Sequence, residues 1–362
     1  MVDKHDENGT WRDNLLHVVP YVPGEQTETP GLIKLNTNEN PYPPSPAVMA
    51  AIRRFDAGVL RRYPDGDAGI LRSAIANYYG VPAGRVFAGN GSDEVLALAF
   101  KACFNSQRPV LFPDITYSFY PVWCQFFGIS FEELPLDEAF RVRADDYDRP
   151  NGGIVLANPN APTGIREGAD FIEYLLKNNR DSVVIIDEAY TDFGGYSALP
   201  LVDQYENLLV VKTFSKSRSL AGMRIGFCVG SETLIAALDE AKNAFNSYTV
   251  SGFTAEVGKA SLEDENYFRE QLEKVLRVRD KSMKTLRDMG FTVLESRANF
   301  IFASHERISA RALYEFLKKN HILVRHFDKP RIDNFLRVSI GTEDDMNKLT
   351  ERILEYMDRK GI

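Results

Sequence analysis

The sequence predicts an α/β fold, a mainly parallel sheet covered by helices on both faces, followed by a smaller α+β unit. Helical apolar spacings alternate with short β-branched runs from residue 47 to about residue 245, the order that builds such a sheet. A long, charge-laced helical stretch at 265–289 then separates this region from a compact mixture of strands and helices. The chain has 362 residues, and at roughly 100–200 residues per domain that length predicts two domains. It is long enough to bury a large core and enclose a site.

The elements follow in order. Pro20, Pro23, Pro30, Pro41, Pro43, Pro44 and Pro46 mark residues 1–46 as an extended N-terminal arm, expected to join the C-terminal unit. The large domain, 47–264, is predicted as helix 47–55, helix 67–79, helix 92–104, strand 109–112, helix 117–127, strand 153–157, helix 168–178, strand 183–186, strand 208–212, strand 225–229 and helix 231–245. Residues 265–290 form a connecting helix, with Phe268, Leu272, Val275, Leu276, Met283 and Leu286 at three- and four-residue steps. The small C-terminal domain, 291–362, is predicted as strands 291–294 and 299–303, helix 309–319, strands 322–325 and 335–339, and helix 343–358.

Composition excludes several classes of function. With 43 Lys and Arg against 51 Asp and Glu the net charge is −8, the wrong sign for holding nucleic acid or an anionic membrane. Cys103, Cys124 and Cys228 form no CxxC pair and no histidine lies at ligand spacing, so neither a disulfide scaffold nor a metal site is indicated. The first twelve residues are polar and acidic, and no run approaches the ~20 apolar residues that span a bilayer. These features predict a cytoplasmic protein. Neither GxGxxG after a first strand nor GxxxxGK[ST] occurs, which argues against a nucleotide-binding oxidoreductase. The proline-rich arm carries no helix-turn-helix pattern, which argues against a transcription regulator.

Reactive residues stand at the ends of predicted strands. GGIVLA runs into Asn158, SVVII into Asp187, and LLVVKTF into Ser215 and Lys216. In open α/β sheets the ligand sits outside the carboxyl ends of the strands, so these residues can converge on one crevice. Each alone also reads as an ordinary strand exit to solvent. Together they match the needs of pyridoxal phosphate: a lysine to form an imine, a carboxylate to keep the pyridine nitrogen protonated, and anion donors for the phosphate. Lys216, Asp187 and Arg224 fill these posts. The lysine, once released by substrate, can move the α-proton as base and acid.

The segment Thr213-Phe-Ser-Lys216-Ser-Arg-Ser-Leu-Ala-Gly-Met-Arg224-Ile-Gly226 resembles the lysine segment of the fold-type I pyridoxal-phosphate-dependent aminotransferases. Beside it stand Asn158-Pro-Asn-Ala-Pro-Thr-Gly164, Asp187-Glu-Ala-Tyr190 and Asn36-Thr-Asn-Glu-Asn-Pro-Tyr42. The last of these, with Tyr21 in PYVPG, is similar to the histidinol-phosphate aminotransferase branch, and the likeness runs from about Tyr21 to Met357.

The resemblance implies Lys216 as the cofactor lysine, Asp187 as partner of the ring nitrogen, and Asn158 and Tyr190 as partners of the ring hydroxyl oxygen. It implies Tyr117 as the ring-stacking aromatic. Ser215 and Arg224 would be phosphate ligands, together with the backbone of Gly91, Ser92 and Asp93. Tyr21, Asn38, Arg325 and Arg337 would meet the substrate. Tyr63, in RRYPD, would reach the phosphate of a neighbouring subunit, which implies a homodimer with shared sites. The implied reaction moves an amino group from histidinol phosphate to 2-oxoglutarate, with an aromatic amino-acid aminotransferase or a decarboxylase of a phosphorylated amino acid as alternatives.

Other readings of these residues stay open at this level. Gly89-Asn-Gly-Ser92 precedes an apolar helix whose N-terminal amides and dipole suit an anion, yet Ser92-Asp93-Glu94 is also an ordinary helix cap. Two carboxylates there are tolerable only if their side chains point away. Arg224 also reads as a surface arginine, and Tyr117 and Tyr190 as core aromatics. Arg337 lies between apolar Leu336 and Val338, and its planar fork suits a carboxylate or phosphate. Arg325 also reads as a surface partner of Asp328. Two departures from the family pattern stand out: Ala161 where asparagine is common, and the segment HFDKPRIDNFL, in which the directions of Lys329 and Arg331 are open.

Overall fold

The computed structural model describes residues 10–26 and 29–362; residues 1–9 and 27–28 of the expected N-terminal arm lie outside the described residues. The first half contains β1 (Ile33–Lys34), α1 (Pro46–Arg54), α2 (Gly69–Tyr79), β2 (Val86–Asn90), α3 (Ser92–Cys103), β3 (Val110–Pro113), α4 (Tyr120–Phe127), β4 (Phe131–Leu134), β5 (Gly153–Ala157) and α5 (Ala169–Asn178). There follow β6 (Val184–Asp187), β7 (Leu208–Thr213), β8 (Ile225–Gly230), α6 (Glu232–Phe245), α7 (Gly252–Glu263) and the long α8 (Glu265–Asp288). The chain continues with β9 (Thr292–Val293), β10 (Phe300–Ser304), α9 (Ala310–Lys319), β11 (Ile322–Leu323), β12 (Arg325–His326), β13 (Phe335–Ser339) and α10 (Glu343–Lys360).

Seven strands form one sheet in the order β2-β8-β7-β6-β5-β3-β4. Only β8 runs against the rest, pairing antiparallel with β2 and β7, so the sheet is mainly parallel as the alternating pattern predicts. Successive strand residues face opposite ways. Leu156, Ile186 and Val210 enter a core shared with Val48, Leu71 and Val257 of α1, α2 and α7. Val155, Ile185 and Val211 enter a second core with Leu96, Phe100 and Trp123 on the other face. Both faces are covered, which is why these strands read as unbroken apolar runs.

A four-stranded antiparallel sheet, β12-β13-β10-β9, packs with α8, α9 and α10 around Ile301, Leu313, Leu317, Val338 and Leu349. The short β1 pairs in parallel with β11, Ile33 opposite Ile322, and so ties the N-terminal segment to the C-terminal part. A smaller cluster of Ile115, Leu136, Phe302 and Ile332 bridges the two sheets.

Several elements differ from expectation. The helix predicted at 117–127 begins at Tyr120, with Pro121 in its first turn, where a missing N–H costs no helical bond. The strand predicted at 322–325 is two short strands with different partners, β1 and β13. The sequence pattern did not reveal β2, β4 or α7. Small residues obscure α7: Gly258 packs close on α2, where a Cβ would stand 2.7 Å from Leu71 Cδ1, and so leaves no apolar marker at that position. Among the described residues no helix is long and apolar enough to cross a membrane.

Candidate active site

Register aligns the carboxyl ends of the central strands. Ala157 of β5 lies opposite Asp187 of β6, and Asp187 opposite Val211 of β7. Beyond this edge opens a cavity of about 220 Å³. Its floor includes Asp187, Tyr190, Ser215 and Lys216, and its roof includes Tyr21, Asn38, Arg325 and Arg337 from the N-terminal segment and the small sheet.

The Lys216 ammonium donates to the Thr37 carbonyl at 3.3 Å and lies 5.8 Å from the centre of the Tyr190 ring. Asp187 is buried; it accepts from the Tyr120 hydroxyl at 3.0 Å and from the Ala189 N–H at 3.1 Å. Burial pushes its carboxyl up to about 6, against the two hydrogen bonds, which favour the anion. Among the described residues no cation pairs with it, so a cation brought beside it would find an unpaired carboxyl group.

At one end of the cavity α3 starts directly after Gly91, which has φ +86° and no side chain to cap the helix. A Cβ on Gly91 would meet Arg224 Nη2 at 2.5 Å, and one on Gly226 would meet the Ser92 nitrogen at 2.2 Å. Both glycines are required by close approach, and they leave a cradle of helix amides, the Ser92 and Ser215 hydroxyls and the Arg224 guanidinium. Glu94 turns back to accept from the Asn90 N–H at 2.5 Å. Asp93 does not point away as expected: it faces the cavity, accepting from Arg224 Nη2 at 3.0 Å and from the Tyr117 hydroxyl at 2.8 Å. It orients both groups.

The Tyr190 hydroxyl accepts from Asn38 Nδ2 at 2.9 Å. Asn38 is itself fixed in a left-handed conformation, φ +56°, by Ser339 and Asn299. Asn158 follows the end of β5 and is buried. Its side chain bonds the backbone of Glu167 in both directions, accepting from the N–H at 2.8 Å and donating to the C=O at 3.2 Å. It braces the loop after β5, and Ala161, not Asn158, faces the cavity.

Arg337 is half-buried in β13; its Nη2 donates to the Asn36 carbonyl at 2.9 Å and its buried Nε has no hydrogen-bond partner. Arg325 donates to the Val22 carbonyl at 3.3 Å. Neither forms an ion pair among the described residues; Asp328, the expected surface partner of Arg325, pairs with Arg311 instead. Tyr21 stacks on Phe119 with ring centres 4.3 Å apart and closes the same end. Lys329 and Arg331 point elsewhere: Lys329 donates to the Asp114 carbonyl at 2.5 Å, Arg331 to the Asp137 carbonyl at 2.6 Å, and neither faces the cavity. Tyr63 stands apart on the surface, 82% exposed and stacked on Tyr248 at 4.7 Å.

Residues 30–353 match the family Aminotransferase class I and II. The chain is 51% identical over 346 residues to a histidinol-phosphate aminotransferase of Acinetobacter baumannii strain AYE, covering 95% of this chain and 96% of that one. The chain belongs to the class I and II aminotransferases, in their histidinol-phosphate branch. A relative of that name from Lactococcus lactis is 48% identical, covering 97% and 99% of the two chains. The crystal structure of the histidinol-phosphate aminotransferase from Clostridium acetobutylicum shares the fold, with a TM-score of 0.83 at 24% identity over 91% of this chain and 100% of that one.

Sequence reasoning missed two parts of this aminotransferase's site. Tyr120, the hydroxyl donor to Asp187, sits in the apolar run YPVWCQFF and reads as core. Thr37 and Phe327 carry no signal beyond their neighbours in the NTNEN and HFDKP strings, yet both line the cavity.

Proposed function

We propose that this aminotransferase uses pyridoxal phosphate to transfer the amino group of histidinol phosphate to 2-oxoglutarate, a step of histidine biosynthesis. The observation that carries the reading is the pair Arg325 and Arg337. They are two cations without ion-pair partners among the described residues, facing Lys216 and Asp187 across one cavity. A dianionic phosphate can use two cations where a carboxylate is satisfied by one bidentate fork. The names and high identity of the relatives support the same substrates.

The chain's residues fit the cofactor. The uncapped start of α3, with Ser92, Ser215 and Arg224, suits its phosphate. Lys216 would hold its aldehyde carbon, Asp187 its ring nitrogen and Tyr190 its ring hydroxyl oxygen, with Tyr117 against the ring face. Pyridoxal phosphate supplies the electron sink for the carbanion left when the α-proton departs. Asp187, a carboxylate near a pyridinium, keeps that nitrogen protonated. Lys216 moves the proton at the substrate α-carbon as base and then as acid. Asn38 holds the Tyr190 hydroxyl in place by its 2.9 Å bond.

The assembly we propose is a homodimer in which the exposed Tyr63 reaches the phosphate of the second site. Free Cys103, Cys124 and Cys228 suit the reducing cytoplasm. The test is a half-reaction screen, in which holoenzyme is mixed with histidinol phosphate, phenylalanine, tyrosine or glutamate and conversion of the bound cofactor to its amine form is followed. Fast conversion by histidinol phosphate and by glutamate supports the reading. Inertness to histidinol phosphate with activity on phenylalanine or tyrosine overturns it in favour of an aromatic aminotransferase, and release of carbon dioxide in favour of a decarboxylase.

A further inference from the structure

Behind the cavity lies an ion cluster that the reaction itself does not use. The Lys212 ammonium, on buried β7, is 3.0 Å from Glu188 Oε2 and 3.5 Å from Asp192 Oδ1. Glu188 is completed by the Ser197 hydroxyl at 2.8 Å and the Ala198 N–H at 2.5 Å. Asp192, half-buried, accepts from the Ser217 hydroxyl at 2.5 Å. None of Lys212, Glu188, Asp192, Ser197 and Ser217 lines the cavity. Also against the cluster are the Tyr79 ring, 5.9 Å from the ammonium, and the Arg218 guanidinium, which acts on Asp192.

Its members occupy telling places in the chain. Glu188 follows Asp187, Asp192 lies two residues after Tyr190, and Ser217 follows Lys216. Asn40 Nδ2 grips the same turn from the other side, donating to the Lys216 and Ser217 carbonyls at 3.1 and 3.2 Å. A buried ion cluster is weak evidence for stability, because desolvation offsets the attraction. Retaining one here fits a demand for geometry: charged hydrogen bonds fix direction and distance where an apolar contact leaves freedom.

We propose that Lys212, Glu188, Asp192 and Ser217 form a positioning network that holds the backbones carrying Asp187, Tyr190 and Lys216 in one fixed arrangement. This rests on the reading of Lys216 as the cofactor lysine. That reading is checked first in the unmodified holoenzyme, by reduction and peptide mapping, so the two can fail separately.

The experiment compares Ser217→Ala, Lys212→Arg and Lys212→Met holoenzymes by kcat, KM for the amino donor, melting temperature and the pH midpoint of the cofactor's visible absorption. Ser217→Ala leaves every charge in place and cuts only the link from Asp192 to the lysine turn. It should lower kcat about tenfold with KM nearly unchanged, in an enzyme that stays folded at the assay temperature. Lys212→Met removes a positive charge from beneath the site, which favours the protonated form of the lysine–cofactor linkage and should raise the midpoint by about one unit. Lys212→Arg should restore it. Unchanged kcat in Ser217→Ala overturns the proposal, as does a folded Lys212→Met enzyme with an unshifted midpoint. If Lys212→Met fails to fold, Ser217→Ala decides alone.

Discussion

The Tyr120 hydroxyl donates to Asp187 Oδ2 at 3.0 Å, from the buried start of α4 to the buried end of β6. Among the described residues it is the one side-chain hydrogen bond to the carboxylate that the ring nitrogen is proposed to meet. Hydrogen bonds to charged groups contribute about 1.5–3 kcal/mol. Tyr120→Phe should therefore weaken pyridoxal phosphate binding roughly ten- to a hundredfold, measured by titration of the apoenzyme. Unchanged affinity would show that Asp187 is oriented without Tyr120.

The pH dependence of the apoenzyme follows from Asp187. Its carboxyl titrates at about 6 when folded against an ordinary 3.8, so between these values the native state holds a proton that the unfolded state has lost. Stability attributable to this group thus falls as pH rises through that window, and above it the full penalty applies, roughly 3 kcal/mol. Asp187→Asn should raise the melting temperature of the apoenzyme at about pH 8 and lose that advantage near pH 4, while binding the cofactor more weakly. A variant apoenzyme no more stable than its parent at the higher pH contradicts the assignment.

Arg325 lines the cavity and is proposed to meet substrate, while Asp328 pairs with Arg311. Arg325→Ala should reduce specificity for histidinol phosphate by about ten- to a hundredfold and change that for glutamate much less. The ratio of the two half-reaction rates is the measurement. An unchanged ratio removes Arg325 from substrate selection.

Asn158 is a brace, and its loss should be felt in folding. Asn158→Ala leaves the Glu167 N–H and C=O without their partner, at a cost of about 1–3 kcal/mol, while the absorption spectrum of bound cofactor stays as it was. A shifted spectrum at unchanged stability would return Asn158 to the cofactor.

The scaffold was legible because β5, β6 and β7 are buried on both faces, and each strand announces its end with a polar residue. Strand ends made Lys216 and Asp187 candidates, and the motif resemblance supplied the roles proposed for them. Within NPNAPTG the lining positions Ala161 and Pro162 could not be picked out, since which residues face the cavity is set by the loop path. Tyr120 was invisible because one polar atom on a buried aromatic does not alter an apolar pattern. Directions of long side chains are equally hidden: Lys329 and Arg331 bond Asp114 and Asp137, contacts more than 190 residues away in sequence.

The central claim is that Lys216 carries the cofactor at the carboxyl edge of the sheet. Borohydride reduction of the holoenzyme, digestion and mass spectrometry of the peptides test it most directly. The phosphopyridoxyl mass should appear on the peptide containing Lys216, with Lys212 unmodified. A label on Lys212 or any other lysine, with Lys216 free, would contradict the account.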